Sequence, residues 1–200
     1  MTDTSTNTDA APTLADHLAL DLLNTEARKD GATVDYWRDG ADVLRWLAQH
    51  GVTLPPGVPA PASAQLLAQA TALRTLARRL IAARRHGDAL GLDDTDALNG
   101  YLHAWLSAPS LERDAAGVPV LARVTRAAPL AALLGPVAQA LAQLLAEGDF
   151  ALVRQCEHPD CILWFYDRTK AHKRRWCSMS TCGNRYKAAQ FRLKAGAAKT

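Results

Sequence analysis

Leucine and alanine recur at helical spacing along most of the chain, whereas strand-like alternation is confined to a few short stretches. Apolar residues that repeat every three or four positions predict amphipathic helices. The helices predicted in this way cover residues 14–24, 40–49, 62–85, 93–107 and 130–147. In the last of them Pro136 predicts a break, because proline removes a backbone hydrogen bond and crowds the preceding turn.

Two of these helices carry informative polar positions. Asp39 precedes the helix at 40–49 and is a favourable N-cap residue, and Gly51 follows that helix as a residue that ends it. The helix at 62–85 carries five arginines at outward or flanking positions, namely Arg74, Arg78, Arg79, Arg84 and Arg85. A solvated charged face is the usual reason for such a pattern, and an anionic partner is the alternative.

Strand signals appear in two places. Val118, Val120, Ala122 and Val124 alternate with other residues after a turn at 114–117, which predicts a β-hairpin within 110–125. Near the C-terminus, Leu163–Tyr166 and Arg174–Trp176 predict two short strands that pair around a polar turn at 167–172. The predicted fold class is therefore α+β and mostly α.

The same pattern divides the chain into a tail and two domains. Residues 1–13 are polar and are predicted to be a disordered tail. Residues 14–149 are predicted to form a helical N-terminal domain with one β-hairpin, and residues 150–196 a small C-terminal domain. No long flexible linker separates the two, so the small domain is expected to dock against the helical one.

Composition narrows the class of protein. The chain is 48% hydrophobic and 22% charged, which is ordinary for a globular protein. Its polar start lacks the features of a secretory signal, and the most apolar stretch, 129–146, is interrupted by Gly135 and Pro136 and is a poor membrane span. A cytoplasmic protein without membrane association is predicted. The sequence contains no phosphate-binding glycine loop, no HExxH motif and no GxSxG motif, so an enzyme is not predicted.

The net charge of +3 conceals an asymmetry between the two parts of the chain. Residues 151–200 carry 11 Lys and Arg against 3 Asp and Glu, whereas residues 1–150 carry 12 against 17. The basic charge therefore belongs to the C-terminal domain, and a basic domain is typical of proteins with an anionic partner.

All four cysteines lie in that basic domain. They form two pairs, Cys156/Cys161 and Cys177/Cys182, with four residues inside each pair and fifteen between the pairs. Two short turns that each offer two thiolates can complete a tetrahedral Zn²⁺ site. Zinc is favoured over two disulfides because nothing marks the chain as secreted, and the cysteines are favoured as ligands over His158 and His172.

The segments around the cysteines predict a treble-clef-like zinc finger, made of a knuckle, a hairpin and a helix. The finger helix is predicted to begin near Gly183, so that Cys182 lies in its first turn. Four protein ligands leave no open coordination position on the metal, which argues against a catalytic role.

The basic residues of the finger predict a nucleic-acid-binding surface, with DNA as the partner. Its expected members are Lys170, Lys173, Arg174, Arg175, Arg185, Lys187, Arg192 and Lys194. Arg185 has two interpretations: it grips a phosphate or a guanine edge, or it serves the structure by pairing with an acid such as Asp160. Asn184 is expected to bond to nearby backbone.

The run from Trp176 to Arg192 contains the tetrapeptide Cys182-Gly183-Asn184-Arg185 and resembles the CGNR zinc-finger family. The first knuckle, Arg154 to Cys161, is similar to the first half of that finger. In this family the finger follows an N-terminal ABATE domain, described as a stress-induced transcription regulator, and LALDLLNTEA at 18–27 resembles the opening of that domain. The resemblance implies a zinc-dependent DNA-binding transcriptional regulator with a role in stress response.

Asp21, Asn24 and Thr25 are the polar positions of that opening. They are either helix-surface and capping residues or the lining of a pocket for a small-molecule effector. A homodimer is a further expectation. The alternative function is a zinc-stabilised protein-interaction or RNA-binding module without sequence-specific DNA recognition.

Overall fold

The computed structural model describes residues 10–29, 31–54, 58–105, 107–125 and 128–197. The helices in this part of the chain are α1 (Leu18–Leu23), α2 (Gly40–Gln49), α3 (Ser63–His86), α4 (Leu92–Ala104), α5 (Pro129–Glu147) and α6 (Asn184–Ala197). The strands are β1 (Glu26–Lys29), β2 (Ala32–Asp35), β3 (Ser107–Arg113), β4 (Pro119–Thr125), β5 (Val153–Gln155) and β6 (Trp164–Tyr166). They pair in order as three antiparallel hairpins, and the predicted class, α+β and mostly α, is confirmed.

The chain forms two compact units. One, here called the finger unit, combines residues 1–37 with residues 149–200, and the other, the helical unit, is Arg38–Gly148. Residues 1–9 of the predicted disordered tail lie outside the described residues. The finger unit therefore combines an N-terminal segment with the C-terminal finger.

The helical unit is built around α3 and α5, whose leucines supply most of its core. Leu66, Leu73, Leu80, Leu133 and Leu141 are at most 1% exposed. The prediction for α2 is confirmed at both ends, since the Asp39 side chain accepts a hydrogen bond from Asp42 N and Gly51 has a positive φ of 74° just beyond the helix.

Two expectations for the helical unit were wrong. Arg74 does not point outward but is 2% exposed. Pro136 lies inside an unbroken α5. The φ of proline is compatible with a helix, and the residue removes one backbone hydrogen bond. Burial of the residues around it offsets that loss. Gly135 beside it is required by close packing, since a Cβ at this position would overlap the Trp105 side chain.

Helix α5 is the one described helix with the length and apolar character that a membrane crossing needs. Half of its most apolar window is buried within the protein, as in the core helix of a globular unit. This is weak evidence for a membrane span, and the burial is explained by its packing on α3 and α4.

The hairpin predicted within 110–125 is confirmed as β3–β4, with Leu111 opposite Leu121. Its turn is closed by Asp114, whose carboxylate accepts from the backbone N–H groups of Ala116 and Val118, while Gly117 takes a φ of 81°. This combination is typical of an aspartate-initiated turn that ends on glycine.

Three local predictions in the finger unit need correction. Helix α1 begins only at Leu18, because Asp16 has a φ of 57°, which interrupts the helical backbone before it. The β1–β2 hairpin lies between the first two predicted helices, where the sequence predicted no strand. Strand β6 pairs with β5 rather than with Arg174–Trp176, which forms no strand.

Candidate metal centre and the surface around it

The first cysteine pair lies in the turn between β5 and β6. Cys156 follows β5 directly, and its backbone N–H donates to Leu163 O at 2.9 Å, which continues the hairpin past the last ladder pair. Inside that turn the Cys161 N–H donates to His158 O at 3.0 Å. The hairpin and the turn together fix both sulfur atoms on one side of the loop.

The second pair brackets the start of the finger helix. Cys177 precedes it, and Cys182 lies in a π-helical turn, Met179–Gly183, that runs into α6. Helix α6 itself begins at Asn184, close to the predicted start near Gly183, and the Ser178 hydroxyl caps the π-helical turn before it by accepting from Thr181 N. Glycine at 183 leaves room for the Met179 side chain, since a Cβ there would lie 2.7 Å from Met179 Sδ.

The four sulfur atoms converge. They all lie within 4.8 Å of one another, with Cys161 Sγ to Cys177 Sγ at 3.8 Å and Cys177 Sγ to Cys182 Sγ at 3.6 Å. A tetrahedral Zn²⁺ with bonds of about 2.3 Å requires sulfur separations of about 3.8 Å. None of the four cysteines forms a disulfide, so the arrangement is that of a metal-binding site.

The protonation chemistry of the cluster fits a cation. The pKa of the Cys182 thiol is raised to about 12, mainly by burial and secondly by the charge of the nearby Cys161. Hydrogen bonding to Cys156 raises the pKa of the Cys177 thiol. Four thiolates so close together repel one another unless a cation neutralises them. His158 and His172 are outside the cluster, and each ring has a backbone partner through its Nδ1.

The cysteines are part of a shared apolar cluster that includes residues from the N-terminal segment. Cys156, Cys177 and Cys182 are buried together with Leu163, Phe165, Trp176 and Ala27, and Tyr36 and Tyr186 pack against them. Ala27 and Tyr36 belong to the β1–β2 hairpin and its end. The metal centre is thus enclosed by both ends of the sequence.

The structure places Asp21, Asn24 and Thr25 inside the finger unit. Asn24 Nδ2 donates to Trp164 O at 2.9 Å, and Asn24 Oδ1 accepts from Trp164 N at 2.8 Å. Asp21 Oδ1 accepts from Leu14 N and Ala15 N, and Thr25 Oγ1 donates to Leu22 O. All three residues are buried, and their recorded partners are backbone groups of the same unit, as expected of residues that fasten α1.

Asp21 is expected to titrate near pH 6. Burial raises its pKa from 3.8 to about 6, although the two backbone N–H groups favour the charged form. Between these values unfolding releases a proton, so the contribution of Asp21 to stability falls as the pH rises from about 4 to about 6. Carbon-13 NMR of the carboxyl group should show the raised midpoint. The stability difference between wild type and Asp21→Asn should change over the same range; a midpoint near 4 would contradict the prediction.

Arg174 connects the finger to the N-terminal segment. Its guanidinium donates to Asp16 Oδ2 at 2.5 Å, to Leu14 O at 2.9 Å and to Cys177 O at 2.6 Å, and lies 4.3 Å from the Phe165 ring centroid. Its backbone N–H donates to the buried carboxylate of Asp167. The sequence analysis grouped Arg174 with the surface cations and missed this role. The one available signal was Asp167, the last acidic residue in the sequence, which lies seven positions before Arg174.

The other basic residues fall into two groups. Arg175 pairs with Glu157 at 2.6 Å, and Arg185 lies 3.4 Å from Asp160, the acidic partner considered for it. The second group consists of exposed side chains for which the described part of the chain shows no ion pair or hydrogen bond. Its members are Lys170, Lys173, Lys187, Arg192 and Lys194. Asn184 Nδ2 donates to Ser180 O at 3.3 Å, a local bond of the expected kind.

Comparisons with known proteins agree with this architecture. Residues 16–148 match the family model ABATE, described as "Putative stress-induced transcription regulator". Residues 153–195 match the model of the CGNR zinc finger. The search of curated proteins found no match. Since the first match spans well over half of the sequence, the chain belongs to the ABATE family, and it carries a CGNR zinc finger at its C-terminal end.

Proposed function

We propose that this protein is a cytoplasmic transcriptional regulator in which a zinc-stabilised finger binds DNA. Zinc is the ion that best suits four thiolates at tetrahedral spacing, because structural zinc sites are commonly closed by four cysteines. The family description supports a regulatory role. All four protein ligands are thiolates, so the metal is assigned a structural task and no catalytic one.

The observation that carries the proposal is the excess of positive charge in the sequence that follows the first cysteine pair. From Arg168 to the last residue the sequence contains ten Lys and Arg and no Asp or Glu. Five of these cations are the exposed side chains without a recorded partner described above. Phosphate neutralisation by such residues supplies most of the affinity of many proteins for nucleic acid.

Helix α6 supplies the element that would approach a groove. Lys187 and Lys194 are seven residues apart and therefore lie on one edge of the helix, with Gln190 between them. Arg192 lies on the opposite edge. Phe191 and Leu193 are 74% and 67% exposed, so the outer half of α6 does not pack on the finger, and the major groove of duplex DNA is wide enough to admit a helix.

The decisive test is the salt dependence of duplex binding by the zinc-loaded full chain between about 50 and 200 mM salt. We expect the double variant Lys187→Gln, Lys194→Gln to lower the slope of log K against log[salt] by about 1.8, since each lost phosphate contact contributes about 0.9. The matched control is Lys29→Gln with Arg113→Gln, which removes the same charge from exposed positions elsewhere. An affinity of the wild type that salt does not change would reject the proposal.

A second candidate function rests on the exposed apolar residues of α6. Phe191 and Leu193 suit contact with a protein partner, including a second copy of the chain, as well as they suit a groove. In that case Phe191→Ser would weaken association measured by sedimentation and leave nucleic-acid binding unchanged. An RNA partner would instead show the same salt slope with single-stranded RNA preferred over duplex DNA.

A small-molecule effector stays a prediction, and the feature of the helical unit that would suit one is a cavity. A cavity of about 310 Å³ lies between α3, α4 and α5. Its lining includes Gln69, Gly100, Tyr101 and Leu134, and Tyr101 Oη donates to Gln69 O at 3.1 Å. The apolar lining suits a small apolar ligand. Asp21, Asn24 and Thr25 are not among its lining residues.

A further inference from the structure

A cavity in the finger unit lies beside the metal centre. It has a volume of about 600 Å³ and is lined by the chain from Lys173 to Trp176 together with Thr169, Ser178 and Met179. This volume falls in the range of pockets that hold small organic groups, roughly 300 to 1,000 Å³. The next question is which chemical group its walls fit.

The charge on the walls favours an anion. Arg174 and Arg175 line the cavity, but their guanidinium groups already face Asp16 and Glu157. Lys173 is exposed and has no recorded partner among the described residues, so it adds an uncompensated positive charge. No acidic residue contributes to the lining.

The carboxylate of Asp167 is hydrogen-bonded to two residues of the cavity wall, Thr169 and Arg174. Asp167 is fully buried, and it accepts hydrogen bonds from Thr169 N, Thr169 Oγ1 and Arg174 N. These donors, together with the charge of Arg154, hold the pKa of Asp167 below its usual range against the opposing effect of burial. Asp167 therefore stays ionised, but it is not among the residues that line the cavity.

Met179 and Trp176 give the wall an apolar part. Met179 is about half exposed, and Gly183 leaves room for its side chain to lie against the finger helix. Trp176, Arg175 and Tyr186 pack on one another: the Trp176 ring lies 4.8 Å from the Tyr186 ring centroid, and Arg175 Cζ lies 4.8 Å from the Trp176 ring and 5.8 Å from the Tyr186 ring. A single inorganic anion would leave this apolar part unused, whereas a phosphate with an attached sugar has an apolar edge that can rest on it.

We infer that this cavity binds one phosphodiester unit of a nucleic acid, with the phosphate at Lys173 and the adjoining sugar at Met179. The inference rests on the proposed function and names the contact that the finger makes beside its helix. The same chemistry occurs in a free nucleotide or in inorganic phosphate, so the experiment has to separate these sources.

The test uses the zinc-loaded full chain and a DNA duplex. Lys173→Gln should weaken binding about eightfold at 0.1 M salt and lower the salt slope by about 0.9, as the loss of one phosphate contact does. Met179→Glu should weaken binding further by placing a carboxylate in the wall, while Met179→Leu, which keeps the apolar surface, should change it little. Lys29→Gln serves as the charge control, and metal content should stay unchanged in every variant.

Amide NMR shifts of Thr169, Ser178 and Met179 report on the cavity itself. They should move when duplex is added, and move less with inorganic phosphate or a mononucleotide at equal ionic strength. If the free anions move them fully and duplex does not, the nucleic-acid source is refuted. If duplex binding is salt-dependent but Lys173→Gln behaves like Lys29→Gln, the cavity assignment fails and the proposed function stands; if the wild type does not bind duplex, both fail.

Discussion

Removal of the metal ion is expected to unfold the finger unit, including α1 and the β1–β2 hairpin at the other end of the sequence. Binding of structural zinc contributes about 10–16 kcal/mol in finger peptides near pH 7, which is comparable with the whole stability of a typical domain. Ala27 and Tyr36 lose their packing when the cysteine cluster opens. The helical unit has its own leucine core and should stay folded.

Hydrogen–deuterium exchange measures this outcome directly. After chelation or in Cys182→Ser, amides of 18–35 and of 153–166 should lose protection together, while those of α3 and α5 keep it. Adding zinc back to the chelated wild type should restore the protection. The control His158→Gln changes the alternative ligand and should retain one metal ion per chain; loss of metal from this variant would contradict a site made of four thiolates alone.

Asn24→Ala is expected to lower the free energy of unfolding of the zinc-loaded protein by about 2–4 kcal/mol, because two backbone groups of Trp164 lose their partner in a buried place. Asn24 is fully buried and makes both of its hydrogen bonds to a strand 140 residues further along the chain. No other side chain in the described hydrogen bonds joins both backbone groups of one β6 residue.

Urea unfolding measures the change as a shift of the midpoint at constant slope. The matched control is Asn184→Ala, which removes the same side chain from an exposed position where it makes a local bond, and its cost should stay below about 0.5 kcal/mol. If the two variants proved equally stable, the hydrogen bonds of Asn24 would not be what holds the end of α1 against β6.

Local signals in the sequence were sufficient for a good part of this structure. Asp39 and Gly51 delimit α2, and the turn at Asp114–Gly117 predicts β3–β4, because caps and turns depend on residues a few positions apart. The pairing of the cysteines was also readable, since tetrahedral coordination requires two short turns with two thiolates each. These features are confirmed because the chemistry that causes them is contained in short segments.

Contacts between distant segments left no such signal. The pairing of Asn24 with Trp164 spans 140 residues, and helical periodicity at 14–24 could not show that a positive φ at Asp16 would shorten α1. Three adjacent cations at 173–175 look alike in the sequence. In the structure Arg174 pairs with Asp16 of the N-terminal segment and Arg175 pairs with Glu157, whereas Lys173 has no recorded partner among the described residues. Tertiary packing sets the direction of each of these side chains.

Because residues 38–148 stand between the two segments of the finger unit, the helical unit is an insertion within it. During translation the N-terminal segment leaves the ribosome before the cysteines do. The first 37 residues therefore wait without their partner while more than a hundred others are synthesised, and the helical unit can fold meanwhile, as domains do during translation. Any shortened chain that stops before Cys182 leaves α1 and the β1–β2 hairpin permanently unassembled, and their exposed leucines become a target for chaperones and proteases.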